Sequence, residues 1–400
     1  MDSLDVRGRR VLLRVDFNTT FGPDSTPDNP LRLDDSLDTL VALLKHGARV
    51  GILTHRGRPQ GRPTPGLSTA ALLPWLTAAL AARGLANAVS FAPDCIGRTA
   101  QHAMDALEPG RAVLLENTRF HLGEQLNQLP FVQQLAALGE LFINDAFACA
   151  HRPQASTSGL ASLLPTALGL HMMTELRRIY AWHSQTRRPR VLILGGSHVL
   201  VKLDLLARLL GHVDIVMLGG AVGNTFLAAK DIDLFQTLID FGALEPARNL
   251  LTEAGVLGCR LHLPRDLATA HTDTPTQLHS FCAPHQLTPQ LVGCDIGPAT
   301  TSLWQRLLAD AAHIVWLGAL GQAEHPAFAR STLALADTLT SPALRDTPKL
   351  IAGNGLVNSL ARSGHMETLR PHASSAGLAL HVALGGQPLP ALQFLRTARR

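Results

Sequence analysis

The chain has 400 residues, 46% hydrophobic and only 16% charged, which allows about two to four domains with real cores and excludes disorder, a small disulfide scaffold or a charged rod. Thirty-five Lys and Arg against 31 Asp and Glu leave a net charge of +4, with no basic run beyond Arg7, Arg9 and Arg10 and the Arg399–Arg400 tail; this disfavours a nucleic-acid partner while leaving room for a local anion site. Cys95, Cys149, Cys259, Cys282 and Cys294 are scattered without a CxxC pair, no apolar run approaches ~18 residues, and no apolar leader precedes the first strand, so the expectation is reduced thiols in a soluble cytoplasmic protein without a membrane partner.

Short apolar runs ending in Gly, Asn, Asp or His alternate with longer stretches of helical spacing, the pattern of parallel α/β structure. In the first half the pattern predicts strands at Arg10–Val15, Ala48–Thr54, Ala112–Glu116 and Leu141–Asn144, with helices at Ser36–Leu44, Leu67–Arg83 and Pro130–Leu138. Leu176, Ile179, Tyr180 and Trp182 then recur at helical spacing within Thr174–Arg188, before the Pro189 turn, and predict a connecting helix. Further strands are expected at Arg190–Leu194, Asp214–Leu218, Arg260–Leu263, Ile314–Gly318, Lys349–Ala352 and Leu378–Ala383. The fold class is therefore α/β, two doubly wound parallel-sheet, Rossmann-like domains joined by a hinge helix: 1–175, a connection at 176–188, 189–385, and a C-terminal segment 386–400.

Open α/β sheets bind ligands at the carboxyl ends of their strands. The polar residues there are Asp16 and Asn18, then His55, Arg56 and Arg58, then Asn117 and Arg119, then Asp145, His151 and Arg152, with Arg32 in the loop beyond the first strand. Arginine forks match carboxylate and phosphate oxygens, so this convergence reads as an anion site, although each arginine alone is as readily a surface cation.

Several of these segments are shared with one family. RVDFN (Arg14–Asn18), THRGRP (Thr54–Pro59), LLENTRFH (Leu114–His121), FINDAFACAHRPQAST (Phe142–Thr157), LILGGSHV (Leu192–Val199), LGGAVGNTFL (Leu218–Leu227), DIGPAT (Asp295–Thr300) and VWLGALG (Val315–Gly321) run in order along a chain that resembles phosphoglycerate kinase. The resemblance implies a first domain binding 3-phosphoglycerate or 1,3-bisphosphoglycerate, a second binding Mg-nucleotide, hinge closure, a monomer, and a C-terminal segment, Leu389–Arg400, packed on the first domain. It assigns substrate binding to Asp16, Asn18, Arg32, His55, Arg58, Arg119, His151 and Arg152, with Arg32 also catalytic; Arg56 and Gln154 depart from the family pattern.

The second half departs further. The family's first phosphoryl-stabilising lysine is His198, its second survives as Lys202, and the Asp before it is Val201; Leu317 and Ala319 replace an Asn and a Pro, Glu324 keeps the ribose-binding acid, and Gly355 stands where the magnesium-holding Asp belongs. The late TGGGAS loop reads SAGLAL at Ser375–Leu380. Gly195, Gly196, Gly219, Gly220, Gly318 and Gly321 remain as remnants of a nucleotide site, but Mg-ATP or Mg-ADP binding is doubtful and no resident metal or other cofactor is expected. Phosphoryl transfer relies on positive charge, metal and backbone amides at the moving group, and losing one such donor lowers the rate ~10²–10³.

Three readings stay open. One transfers the phosphoglyceroyl group of the acyl phosphate to an amine or alcohol acceptor, with His198 as base or oxyanion partner, Arg32 stabilising charge and Lys202 holding the departing phosphate. Another is an ATP-dependent phosphoglycerate kinase with an atypical nucleotide site, and the last a phosphoglycerate-binding regulatory protein without turnover. His262, His271, His279 and His285 lack metal-ligand spacing, LGGAVGN is not a GxGxxG dinucleotide turn, and Cys149 reads as a small buried residue.

Overall fold

The computed structural model describes residues 5–22, 27–28 and 30–394. Two compact units divide the chain, one formed by residues up to Ile179 with Leu378–Ala383 and the chain from Gln387, the other by Tyr180–Gly377 with Leu384–Gly386.

In the first unit, strands β1 (Arg10–Arg14), β2 (Arg49–Leu53), β3 (Val89–Ala92), β4 (Ala112–Leu115), β5 (Leu141–Asn144) and β6 (Thr166–Leu168) form a parallel sheet in the order β3-β4-β2-β1-β5-β6. Side chains alternate across a strand, and both faces are covered: Val11, Leu13, Val50, Ile52 and Leu114 join one core, while Leu12, Leu53, Val113, Leu115 and Phe142 join the other. That is why these strands read as unbroken apolar runs. The direction of winding reverses between β1 and β5, so the crevice at the carboxyl ends of those two strands is where a ligand belongs.

The second unit repeats this plan. Strands β7 (Arg190–Leu194), β8 (Ile215–Leu218) and β9 (Arg260–His262) lie to one side and β13 (His313–Leu317), β14 (Lys349–Ala352) and β15 (Ala373–Ser374) to the other, in the parallel order β15-β14-β13-β7-β8-β9. Its reversal falls between β7 and β13. A separate antiparallel sheet, β10 (Leu267–His271), β11 (Ser280–Cys282) and β12 (Leu291–Ile296), has the order β11-β10-β12; its short strands lack the long apolar runs that marked the others.

Several sequence expectations shift. Leu378–Ala383 is not a strand: Leu378–Leu384 is a helix, because Ala379, Leu380, Ala383 and Leu384 are the buried positions, the i, i+1, i+4, i+5 spacing of one helical face. Leu67–Arg83 divides into 3₁₀ turns at Pro65–Leu67 and Thr69–Leu72 and a helix at Leu73–Ala81, with Pro74 in the first helical turn, where its missing N–H is harmless. The connecting helix runs Leu170–Ser184 instead of Thr174–Arg188. Its start is fixed from afar, the Leu170 amide donating to Thr39 Oγ1 at 2.9 Å and the Met172 amide to Asp145 Oδ1 at 2.9 Å, which satisfies helix-terminal donors with side chains remote in sequence. The boundary expected at 175 thus falls at Ile179, inside this helix. Of the C-terminal segment, Ala391 is buried and its amide donates to the Ala150 carbonyl at 3.1 Å, within the first unit; residues 395–400 of that segment lie outside the described residues.

Candidate active site

The first site is built on β1. Arg14, its last residue, is fully buried and donates from Nε to Ser156 Oγ at 2.8 Å, from Nη1 to the Val15 carbonyl, and from Nη2 to His55 Nδ1 at 3.1 Å. A guanidinium has no acceptor, so His55 Nδ1 accepts and the neutral ring carries its proton on Nε2. Ser156 in turn donates from Oγ to Glu124 Oε1 at 2.6 Å and from its amide to Oε2 at 2.9 Å. Sequence reading quoted Arg14 within its motif but missed its role and that of Ser156 and Glu124. Arg14 is the polar end of an apolar run, but nothing in the polar stretches around Ser156 and Glu124 marks them.

Around this pair stand the other cations. Arg119 is buried, donates from Nη1 to the Gly57 carbonyl at 2.9 Å, and keeps Nε buried without a hydrogen-bond partner; burial and neighbouring arginines bring it down to about 10. Arg152 donates from Nε to His151 Nε2 at 3.1 Å, and burial with Arg152 beside it lowers His151 to about 4. His55 is held well below its ordinary value by burial first, then by Arg14, Arg119, Arg152 and Arg32. Arg32 donates from Nη1 to the Asn18 carbonyl at 3.2 Å and lies 3.7 Å from Asp16 Oδ2. Asn18 Oδ1 accepts the Gly57 amide at 2.9 Å, tying the loop after β1 to the loop after β2.

One arginine of the sequence set stands apart. Arg56 is buried and donates to the Ser68 carbonyl at 2.7 Å and the Thr19 carbonyl at 3.4 Å, with its guanidinium 6.0 Å from the centre of the Phe21 ring; it serves the loop and not the anion site. Arg58 is exposed on the same loop. Cys149 Sγ lies with Asp16 and His55 ligand atoms inside 4.8 Å, but the four arginines acting on His55 oppose a metal ion there. What the arrangement offers is charge and donors for a small multiply charged anion.

The second unit carries a different construction at the β7/β13 reversal. Gly195 and Gly196 follow β7, and Gly318 and Ala319 follow β13. A Cβ on Gly195 would lie 2.1 Å from the Ala319 carbonyl oxygen, one on Gly318 2.6 Å from the Gly195 oxygen, and one on Gly220 2.7 Å from the Gly196 amide nitrogen. Gly196, Gly220 and Gly318 have φ of +75°, +56° and +92°, which only glycine adopts freely. Gly219 packs against Leu320 and Gly321 against Asp295. These glycines bring the loops after β7, β8 and β13 backbone against backbone in a glycine-lined cradle whose own amides are paired within it, Gly196 donating to the Ala319 carbonyl at 2.7 Å and Gly220 to the Leu320 carbonyl at 2.6 Å. Lys202 Nζ, buried, donates to the Gly195 carbonyl, and burial lowers it to about 8.

His198 stands exposed at the N-cap of the helix Val199–Leu209, with Leu200 and Val201 exposed behind it. Glu324 is also exposed. Gly355 lies in the first turn of the helix Asn354–Arg362, and a Cβ there would meet nothing within 4 Å. Lys202 places a buried cation beside the cradle, whereas the position assigned by resemblance to the magnesium ligand offers no carboxylate.

Each unit thus has the form of a doubly wound sheet with a cluster of loops at its winding reversal, one cationic and one glycine-lined. The family model described as Phosphoglycerate kinase matches residues 1–387. A phosphoglycerate kinase of Azorhizobium caulinodans is 37% identical over 397 residues, covering 99% of this chain and 98% of the relative, and one of Rhodospirillum centenum is 37% identical over 386 residues, covering 96% and 94%. The solved phosphoglycerate kinase of Coxiella burnetii superposes with a TM-score of 0.83 at 30% identity, covering 100% of this chain and 99% of that one, and that of Pyrococcus horikoshii with 0.86 at 26%, covering 100% and 98%. This chain belongs to the phosphoglycerate kinase family.

Proposed function

We propose that the protein is an ATP-dependent phosphoglycerate kinase with an atypical nucleotide site, the alternative that the full-length similarity favours over acyl transfer. The observation that supports this reading, beside the full-length similarity, is the buried Arg14–His55 pair with Arg119 and Arg152 acting on it, a concentration of positive charge suited to a phosphorylated carboxylate. A terminal phosphate oxygen of the nucleoside diphosphate attacks the phosphorus of 1,3-bisphosphoglycerate; the bond from phosphorus to the acyl oxygen breaks and 3-phosphoglycerate leaves as its carboxylate. In this reading Arg32, Lys202 and the exposed His198 supply the charge that follows the moving group, Asp16, Asn18, Arg58, Arg119, His151 and Arg152 hold the substrate, and Mg-nucleotide enters as co-substrate on the glycine cradle. Closure of the two units during turnover, a monomer and a cytoplasmic location belong to the same reading.

One observation favours a second reading. Gly355 leaves the metal-ligand position without a carboxylate, and exposed Leu200 and Val201 flank His198, surroundings that suit an organic acceptor better than a metal-bound triphosphate. There the amine nitrogen or alcohol oxygen of the acceptor attacks the acyl carbon, inorganic phosphate departs, and His198 takes the acceptor's proton. The test incubates the purified chain with 3-phosphoglycerate and Mg-ATP and follows ADP. Phosphoglycerate-dependent ADP release, lost in Arg32→Ala, is the expected result. No ADP release overturns the kinase reading; a phosphoglyceroyl conjugate formed from 1,3-bisphosphoglycerate and an amine or alcohol pool then establishes the second, and binding without either product leaves a regulatory phosphoglycerate binder.

A further inference from the structure

Away from the arginine-lined site, Asp94, Cys95 and His121 bring a carboxylate oxygen, a thiol sulfur and an imidazole nitrogen within 4.8 Å of one another. Sequence spacing hides the group, because Asp94 and Cys95 follow β3 whereas His121 closes the 3₁₀ turn Thr118–Phe120 after β4. The two strands are paired neighbours, Ala92 opposite Leu115, so both loops open from one edge of the sheet. His121 Nε2 lies 2.9 Å from Asp94 Oδ1, and its ring centre sits 5.4 Å from that of Phe131. Asp94 Oδ1 is fixed further by the Cys95 amide at 2.7 Å and the Ile96 amide at 3.3 Å. Cys95 is buried, while the Asp94 and His121 side chains are 41% and 32% exposed, which leaves an ion an entry path and a place for water.

We propose that Asp94, Cys95 and His121 form a binding site for a thiophilic divalent cation, zinc by its donor set, with water as the fourth ligand. Metal–ligand lengths of ~2.0–2.3 Å put tetrahedral ligand atoms roughly 3.3–3.8 Å apart, so the His121–Asp94 pair opens from 2.9 Å while the separations that reach toward 4.8 Å close by up to about 1 Å. On binding, Cys95 Sγ releases its proton to solvent and donates an electron pair to the metal, and the His121–Asp94 hydrogen bond is exchanged for two bonds to the ion; nothing is oxidised or reduced. The contrast with Asp16, His55 and Cys149 is electrostatic. With the same donor types, that cluster sits among four arginines, whereas the charges acting on Cys95 are the carboxylates Asp94, Glu124 and Glu116, and a thiolate with imidazole selects zinc over magnesium or calcium. The metal would clasp the loop after β3 to the turn that carries Arg119, two residues before His121.

The experiment uses the full chain, stripped of metal by a chelator and titrated with cobalt(II), then with zinc. The expected result is a thiolate-to-cobalt charge-transfer band saturating at one equivalent, bleached by zinc, absent in Cys95→Ser, kept in Cys149→Ser, and requiring about tenfold or more cobalt in His121→Ala. No thiolate band in the native chain, a band surviving Cys95→Ser, or a band lost in Cys149→Ser overturns the proposal. Should Cys95→Ser fail to fold by circular dichroism, His121→Ala decides, since it retains the thiol: unchanged cobalt affinity there overturns the site.

Discussion

Arg14 shows what a buried cation requires: its guanidinium has no exposed surface, yet Ser156, the Val15 carbonyl and His55 each take a hydrogen bond from it, which offsets part of a desolvation penalty of several kcal/mol. Positions in the second unit invite the opposite operation, putting chemistry back. Because a Cβ on Gly355 meets nothing within 4 Å and the position opens a helix where an acidic side chain is favoured, Gly355→Asp should leave the urea midpoint unchanged or slightly raised. Combined with His198→Lys, it should raise phosphoglycerate-dependent ADP formation by ~10²-fold or more; unchanged turnover would show that these positions do not limit the reaction. His313 gives a pH prediction. Its ring stands edge-on to Trp182 at 4.9 Å, and burial followed by Arg190 lowers it to about 4. Between pH 6.5 and about 4 the unfolded chain therefore binds a proton that the folded chain refuses, and stability falls as pH falls through that window. Asp295, raised to about 7 by burial, acts in the opposite sense across the whole of it, so the check is a comparison of variants: urea unfolding of His313→Gln should show a stability that falls less, or rises more, on acidification than that of the native chain. Equal slopes would remove His313 from the account.

At the scale of elements, the glycine cradle joins β7 to β13 through backbone contacts that admit no side chain. Gly318 combines φ of +92° with a would-be Cβ 2.6 Å from the Gly195 oxygen, so Gly318→Ala should destabilise the second unit by about 1–3 kcal/mol and weaken nucleotide stabilisation. Urea unfolding with and without Mg-ADP measures both, and native-like values would mean that the cradle yields easily. Element ends also mark the limits of sequence reading. The start of Leu170–Ser184 depends on Thr39 and Asp145, which periodicity cannot see. Leu378–Leu384 is a seven-residue apolar stretch equally compatible with strand and helix until the buried positions are known. Strands β1 and β5, by contrast, were legible because both of their faces are buried and each carries three consecutive apolar residues, Val11–Leu13 and Leu141–Ile143.

For the whole molecule, separate cores in each unit mean that a ligand held by one unit stabilises through that unit's own cavity. Adding 3-phosphoglycerate at 100 times its Kd should raise stability by ~2.7 kcal/mol. Arg119→Ala removes charged hydrogen bonds of about 1.5–3 kcal/mol and should weaken that binding roughly 10–150-fold, measured as the concentration needed for half the thermal shift. An equal shift in native and variant chains would remove the arginine site from the proposed function. Mg-ADP gives the matching measurement for the second unit, where a shift supports the kinase reading and its absence favours acyl transfer or binding alone.

The sequence by itself determined the α/β class, most of the parallel strands, the family and the residues at the strand ends, because these depend on hydrophobic period and on short motifs whose spacing is local. Tertiary structure alone decided which of those residues meet. It separated Arg56, spent on the carbonyls of Ser68 and Thr19, from Arg119, which keeps a buried donor unpartnered. It also joined Arg14 to Ser156 and Glu124, and Asp94 to His121. Such pairings depend on which strands lie side by side and on which charges are removed from water, and neither is written in the neighbourhood of any one residue.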